Sequence, residues 1–122
     1  MAKRAGPQKF QELDKKVCRF AEDRDWSQFH SPKNLSMALS VECAELMEHF
    51  QWLTESQSRR LKPRQKREVE MELADIQIYL IRLSQVLGVD LIAASNKKLV
   101  ENAKKYPVEK SKGSAKKYTD LR

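Results

Sequence analysis

The chain has 122 residues, 34% of them charged and 40% apolar, which fits one globular domain with a real core. No apolar run reaches the ~18 residues of a transmembrane helix. The polar, basic residues 1–7 lack the apolar stretch of a secretory signal. Cys18 and Cys43 both fall in helical apolar patterns. We therefore expect reduced, buried thiols in a cytosolic or nuclear compartment, of which we predict the cytoplasm, and no disulfide.

The net charge of +7 is unevenly distributed along the chain. Six basic residues lie in 59–67 and nine in 97–122, whereas the centre of the chain is acidic. A basic chain usually has an anionic partner. Because the positive charge lies in the termini and one linker, it favours an acidic, metal-bound site approached by a polyanion over a surface that binds duplex nucleic acid.

Every element that the sequence predicts is a helix. Apolar residues at three- and four-residue spacing, with Pro32 and Pro63 near helix starts, predict four helices at about 10–24, 34–53, 63–87 and 91–105. Gly88 as a C-cap and Asp90 as an N-cap predict a tight turn before the last helix. We predict an all-α, four-helix bundle-like protomer, with flexible basic residues at 1–9, a helical domain at 10–107 and a basic, mobile tail at 108–122.

The third predicted helix has apolar stripes on two roughly opposite sides. The first stripe holds Val69, Leu73, Ile76, Leu80, Leu83 and Leu87, and the second holds Met71, Ala74, Ile78 and Ile81. At about 100° per residue, Glu72, Asp75 and Tyr79 fall in a strip between them. A helix that is apolar on two sides is normally packed on both. We therefore expect this acidic strip to face another helix.

The second predicted helix repeats this arrangement. Its main stripe holds Leu35, Leu39, Leu46, Phe50 and Leu53, its second stripe holds Met37, Val41 and Ala44, and its polar strip holds Ala38, Glu42, Glu45, His49 and Trp52. Carboxylates that converge at ~4 Å repel by about 1 kcal/mol per pair in water and ~4 kcal/mol at an effective dielectric of 20. Hard divalent cations relieve this repulsion, and Mg²⁺ prefers oxygen ligands. The alternative is that these acids are surface charges paired with Lys or Arg.

Two short motifs carry a resemblance to a known family. Glu42-Cys43-Ala44-Glu45 and Glu72-Leu73-Ala74-Asp75, with 26 residues between them, match the E-x-x-E and E-x-x-D signature of the all-alpha NTP pyrophosphatases, the MazG-like proteins. Further motifs resemble the dCTP pyrophosphatase branch of that superfamily: Arg24-Asp25-Trp26-Ser27-Gln28-Phe29-His30, Pro32-x-Asn34-Leu35, Phe50-Gln51-Trp52, Asp75-x-x-x-Tyr79-Leu80, Tyr106-Pro107 and Lys117-Tyr118-Thr119.

The resemblance implies a hydrolase that cleaves a deoxynucleoside triphosphate, dCTP or 5-modified dCTP, between the α- and β-phosphates in nucleotide-pool sanitation. It implies Mg²⁺ bound by Glu42, Glu45, Glu72 and Asp75, with Glu45 as our candidate general base. It also implies that domain 10–107 is catalytic and that the chain forms a homo-oligomer, a dimer or a dimer of dimers, with sites near subunit contacts.

The resemblance further implies a set of substrate-binding residues. Trp26, His30, Trp52 and Tyr79 match positions of the nucleoside pocket, Lys98 and Asn102 match the phosphate side, and Lys105 is our third candidate for binding phosphate. The family often has Arg where this chain has Lys105, which weakens a bidentate grip on phosphate.

Each of these residues also has a plain structural interpretation. The aromatic residues can pack a loop or the core, His30 can hydrogen-bond within its loop, and His49 can support the fold. For the whole chain, the rival hypothesis is a basic helical module that binds nucleic acid or protein without catalysis. Because carboxylates embedded between apolar stripes oppose that hypothesis, we predict no stable nucleic-acid complex and no membrane association. The sequence has neither a Gly-rich phosphate loop nor a Cys/His zinc cluster.

Overall fold

The computed structural model describes residues 7–121, and every regular element in that range is helical. The helices are α1 (Pro7–Asp23), α2 (Pro32–Glu48), α3 (Glu55–Ser58), α4 (Pro63–Leu87), α5 (Leu91–Lys105) and α6 (Val108–Ser111), with 3₁₀ turns at Trp26–Phe29 and Tyr118–Asp120. The third and fourth predicted helices are therefore α4 and α5. The all-α class is confirmed, and residues 1–6 of the predicted flexible N-terminus lie outside the described residues.

Local capping explains where several helices begin and end. The Ser31 side chain accepts a hydrogen bond from the Asn34 N–H at 3.1 Å, and Pro32 occupies the first turn of α2. Gly88 ends α4 in the left-handed region at φ 67°. The Asp90 side chain then accepts from the Ala93 N–H at 3.0 Å and starts α5. The predicted turn between these two helices is confirmed.

The predicted end of the second helix at Leu53 is wrong, because α2 ends at Glu48. Turns follow, in which the Phe50 N–H donates to the Met47 carbonyl and the Leu53 N–H to the Phe50 carbonyl. Thr54 and Gln57 then form a capping box that starts α3, so a competing helix start replaces the last turn of α2. Trp52 consequently does not continue the acidic strip of α2, and its side chain is 87% exposed.

Of the described residues, those up to Gly88 form one compact unit in which α4 packs against both α1 and α2. Its buried apolar residues are Val17, Ala21, Leu35, Val69 and Ile81. The Gln85 side-chain amide donates to the Asp14 backbone carbonyl at 2.7 Å and to the Asp14 carboxylate at 3.0 Å. These two bonds tie the C-terminal half of α4 to α1.

The expectation that α4 is packed on both sides is wrong around Met71 and Ile78. Met71 and Ile78 of the second stripe are exposed, as are Met37 and Val41 of the corresponding stripe on α2. Helix α2 covers only one side of α4, and only Ile81 of the second α4 stripe is buried. A set of apolar side chains beside the acidic strips is therefore left at the surface of the single chain.

Both cysteines are free, as predicted, but their expected burial is wrong. Cys43 is exposed and Cys18 is half-buried. Cys43 comes one residue after Glu42 and is therefore rotated by roughly 100° around α2. This position lies beside the packed stripe of α2, so Cys43 is exposed.

The residues from Val89 onward form a second compact unit, which contains α5, α6 and a 3₁₀ turn. Within it, the rings of Tyr106 and Tyr118 meet edge to face with centroids 6.0 Å apart. The segment expected to be a mobile tail therefore contains short helical turns, and its mobility stays a prediction. In the described residues no single helix is long and apolar enough to cross a membrane, and α4 with α5 passes that test only as a broken pair.

Candidate active site

Three carboxylates from two helices converge where α2 packs on α4. The ligand oxygens of Glu42 and Glu45 on α2 and of Glu72 on α4 all lie within 4.8 Å of one another, and all three residues are half-buried. We call these three residues the acidic group. The helix pairing brings together one acidic motif of α2 and the first acid of the motif on α4, as the sequence predicts for two facing strips.

The acidic group has the properties of a site for a divalent cation. Glu42 Oε2 and Glu72 Oε2 are buried and have no hydrogen-bond partner among the described residues. A buried carboxylate oxygen without a partner carries a large desolvation cost. The three residues of the acidic group all offer carboxylate oxygens as metal ligands, which Mg²⁺ prefers. These residues therefore fit a hard divalent cation, which would supply the missing partner for both oxygens.

The electrostatics of the acidic group also favour a bound cation. Burial and the negative charges of Glu45 and Asp75 together raise the pKa of Glu42 to about 7. In the absence of a cation, Glu42 therefore holds a proton to near-neutral pH. A bound cation would favour the ionised carboxylate and release that proton.

Asp75, the fourth carboxylate of the sequence motif, lies outside the acidic group. It is exposed and lines a neighbouring cleft. Three residues after Glu72 on α4, it is rotated by roughly 60° and displaced by roughly 4.5 Å along the helix. Its charge still acts on Glu42, so Asp75 connects the acidic group to the cleft.

His49 lies beside the acidic group at the C-terminal end of α2. Its Nε2 is 3.8 Å from Glu72 Oε1, and its Nδ1 is 3.8 Å from Glu68 Oε2. Both distances are too long for hydrogen bonds. His49 is therefore a close neighbour of Glu68 and Glu72 without a hydrogen bond to either.

The neighbouring cleft lies among α1, the first 3₁₀ turn and α4 and has a volume of about 230 Å³. We call it the aromatic cleft. Its lining residues are Val17, Phe20, Ala21, Trp26, His30, Asp75, Ile78, Tyr79 and Arg82. Three of the four residues that match the nucleoside pocket, Trp26, His30 and Tyr79, are thus brought together. Trp52 does not line this cleft.

The loop that carries Trp26 and His30 is held by local hydrogen bonds. Asp25 adopts a left-handed conformation at φ 53°, which turns the chain after α1. The Gln28 side-chain amide donates to the Asp25 carbonyl at 3.0 Å, and the Asn34 amide donates to the Phe29 carbonyl at 3.0 Å. The Trp26 ring meets the His30 ring edge on, with centroids 6.1 Å apart.

Arg82 is a residue of the cleft that sequence reasoning missed. It is only 8% exposed. Its guanidinium donates to His30 Nδ1 at 2.9 Å, to Ser27 Oγ at 3.1 Å and to Gln85 Oε1 at 3.0 Å. The sequence offered one indication of its role, because Arg82 follows Ile78 by four residues and so interrupts an apolar stripe. Nothing in the sequence indicated that its partners would be His30 and Ser27.

The three residues predicted to bind phosphate lie on α5, in the second compact unit. Lys98 and Lys105 are exposed and Asn102 is half-buried. Lys105 Nζ lies 4.9 Å from the centroid of the Tyr118 ring, within range of a cation–π interaction.

We compared the sequence and the fold of this chain with those of known proteins. The profile of the MazG-like family matches residues 37–121. A protein named dCTP pyrophosphatase 1 is 46% identical in Mus musculus and 41% identical in Homo sapiens, each over 104 residues that cover 84% of this chain and 61% of the relative. The chain thus spans about three fifths of the length of these relatives. A solved pyrophosphatase structure from Archaeoglobus fulgidus DSM 4304 superposes with a TM-score of 0.77 at 36% identity, over 88% of this chain and 98% of that one. The chain belongs to the MazG-like family.

Proposed function

We propose that this protein is a Mg²⁺-dependent nucleoside triphosphate pyrophosphohydrolase that converts dCTP, and 5-modified dCTP, to the monophosphate and pyrophosphate. The observation that carries this proposal is the acidic group with its two unpartnered buried oxygens, which Asp75 connects to an aromatic cleft. The names of the relatives support the reaction and the nucleotide. The cellular role that follows is removal of unwanted deoxynucleotides from the precursor pool.

In this proposal the acidic group and Asp75 hold the cation. Bound Mg²⁺ supplies positive charge that offsets the phosphate oxygens and lowers the pKa of a coordinated water. Glu42 and Glu72 each have a buried oxygen in need of a partner, so both serve as ligands. We assign Glu45 as the general base that takes the proton of the attacking water, and Glu45 can also be a ligand.

The nucleoside occupies the aromatic cleft. Trp26 and Tyr79 offer ring surfaces to the base, and His30 offers a polar group at the cleft wall. By the family resemblance we assign Lys98, Asn102 and Lys105 to the phosphates, so every proposed site residue falls within the predicted catalytic domain at 10–107. Trp52, which is 87% exposed in one chain and does not line the cleft, keeps its assignment to the nucleoside only through the family resemblance.

A homo-oligomer, either a dimer or a tetramer, is part of this proposal. Met37, Val41, Met71 and Ile78 leave apolar surface beside the acidic strips of α2 and α4. Exposed apolar patches of this kind usually mark an interface, and a two-fold symmetric pair would cover both stripes at once. Light scattering after gel filtration tests this, and Met71→Glu should shift the protein towards monomer. The two free cysteines fit the proposed cytoplasmic location.

The deciding experiment measures pyrophosphate release from a panel of deoxynucleoside triphosphates, with millimolar Mg²⁺ and with EDTA. We expect dCTP to give dCMP and pyrophosphate only when Mg²⁺ is present. Orthophosphate as the product, or equal rates in EDTA, would contradict the proposal. Fluorescence anisotropy with single- and double-stranded DNA tests the non-catalytic alternative, and there we expect no stable complex.

A further inference from the structure

The two nitrogens of the His30 ring lie in different environments. Nδ1 accepts the Nε–H of Arg82 at 2.9 Å. A guanidinium can only donate and stays protonated at any physiological pH. Nδ1 must therefore be the unprotonated nitrogen, and the neutral ring carries its proton on Nε2. Within the described residues, Nε2 has no hydrogen-bond partner, and His30 lines the aromatic cleft.

Arg82 is held so firmly that the direction of its Nε–H is fixed. Its two terminal nitrogens donate to Ser27 Oγ and Gln85 Oε1, and the Gln85 amide donates in turn to Asp14 on α1. These bonds link α1, the first 3₁₀ turn and α4. Because Arg82 is buried, any rotation of its guanidinium leaves a charged donor without a partner, which is costly.

The surroundings of His30 also keep its ring neutral. Burial and the positive charge of Arg82 lower the pKa of His30 below its ordinary value of 6.5. The other titratable groups near it are Asp75 and Tyr79, which line the same cleft from α4, and Cys18 on α1, which interacts with Arg82. A second proton on the ring would place Nδ1–H directly against the guanidinium.

We infer that Arg82 is a positioning residue that keeps His30 in its Nε2–H tautomer, so that His30 offers the cleft a fixed hydrogen-bond donor that faces N3 of a cytosine base. The identity of the ligand rests on the proposed function, whereas the tautomer does not. Cytosine N3 is an acceptor, but N3 of uracil carries a proton and would oppose the donor. A mobile tautomer could serve either base, and a locked one discriminates between them.

The first test is independent of nucleotides and uses ¹⁵N NMR of the His30 imidazole in the full chain. In wild type we expect a protonated Nε2 and an unprotonated Nδ1. In Arg82→Met we expect exchange between tautomers and a His30 pKa that rises towards 6.5. Arg67→Met is the matched control, since Arg67 is exposed on the same helix and outside the cleft, and it should leave both signals unchanged.

A wild-type spectrum with the proton on Nδ1 would overturn the inference without any variant, so it remains testable even if Arg82→Met folds poorly. A Met variant that folds and keeps both the tautomer and the pKa of His30 would overturn it as well.

The second test uses steady-state kinetics with dCTP and dUTP. Loss of one fixed hydrogen bond in Arg82→Met should raise KM for dCTP by about three- to tenfold, with a much smaller change in kcat. The preference for dCTP over dUTP should fall by a similar factor, and Arg67→Met should behave as wild type. An unchanged preference, or a loss confined to kcat, would overturn the specificity role. A wild-type protein that hydrolyses neither nucleotide contradicts the proposed function, and the NMR result then still decides the tautomer.

Discussion

Two polar side chains on α4, ten residues apart, are in opposite states. Arg82 is buried and donates to three partners, two of which come from the loop after α1. Glu72 is also largely covered, but its Oε2 has no partner, and its other oxygen is 3.8 Å from His49. Near the C-terminal end of α4, the donors of Arg82 are therefore engaged in hydrogen bonds. In the middle of α4, one oxygen of Glu72 lacks a partner among the described residues.

This difference suggests that Arg82 positions its neighbours, whereas Glu72 binds a ligand. A buried polar group with all its bonds made adds rigidity and fixes its neighbours, whereas one without bonds costs free energy until a ligand supplies them. The acidic group around Glu72 is therefore the part of the molecule that should respond most to a cation. Cation binding should change the network around Arg82 little. That network should instead determine which base the aromatic cleft prefers.

The largest effect is expected from neutralising the acidic group. Glu42→Gln, Glu45→Gln and Glu72→Gln should each lower kcat for dCTP hydrolysis by about 100-fold or more, because each removes a charge that binds the cation or accepts a proton. Circular dichroism should show unchanged helix content. The measurement is initial-rate pyrophosphate release at saturating Mg²⁺.

Glu70→Gln is the matched control for these variants. Glu70 is exposed on α4 and is not part of the acidic group, so its variant should retain wild-type turnover. If any two of the three acidic-group variants kept turnover within about tenfold of wild type, the assignment of the metal site would be wrong.

The next largest effect concerns the aromatic cleft. Tyr79→Ala should raise KM for dCTP roughly tenfold while the affinity for Mg²⁺ changes little, since stacking on a base is worth roughly 1–3 kcal/mol. Tyr79→Phe keeps the ring and should stay close to wild type. An unchanged KM in Tyr79→Ala would place the base outside this cleft.

The difference between these regions also explains what the sequence could predict. Glu42, Glu45 and Glu72 are found from spacing alone, because helical geometry fixes which residues share a face and α2 packs on α4 along those faces. The end of α2 was misjudged because the apolar pattern continues to Leu53, while the capping box at Thr54 competes with it. The Arg82–His30 bond joins residues 52 positions apart. No local pattern encodes such a contact, because it depends on how α1, its following loop and α4 pack.

A smaller, thermodynamic effect is expected from Glu42. Its pKa is about 7 in the folded protein against an ordinary value of 4.5. A raised carboxyl pKa means that the folded state holds the proton more tightly, so the stability that Glu42 contributes is fully present below about pH 4.5 and is lost as pH rises through 7. In EDTA at pH 8, Glu42→Gln should therefore melt a few degrees above wild type.

Two comparisons check this explanation. At pH 5, where Glu42 of the wild type is largely protonated, the difference in Tm between the two proteins should nearly vanish. Millimolar Mg²⁺ should raise the Tm of wild type at pH 8, because a ligand that binds only the folded state stabilises it, and it should raise the Tm of Glu42→Gln less. A Tm gain for Glu42→Gln that is equal at pH 5 and pH 8 would exclude charge repulsion as its cause.

The smallest change in melting temperature is expected at Asp75, which lies between the two regions. Its carboxylate is exposed and outside the acidic group, yet its charge is one of the causes of the raised Glu42 pKa. Asp75→Asn should therefore melt slightly above wild type in EDTA at pH 8, by less than Glu42→Gln, since water screens most of the repulsion that is removed. At pH 5 this gain should disappear, because a protonated Glu42 no longer repels Asp75. A lower Tm for Asp75→Asn in EDTA would mean that basic residues already balance these carboxylates in the folded protein. The unpartnered oxygens of Glu42 and Glu72 would then be the only remaining physical argument for a cation between α2 and α4.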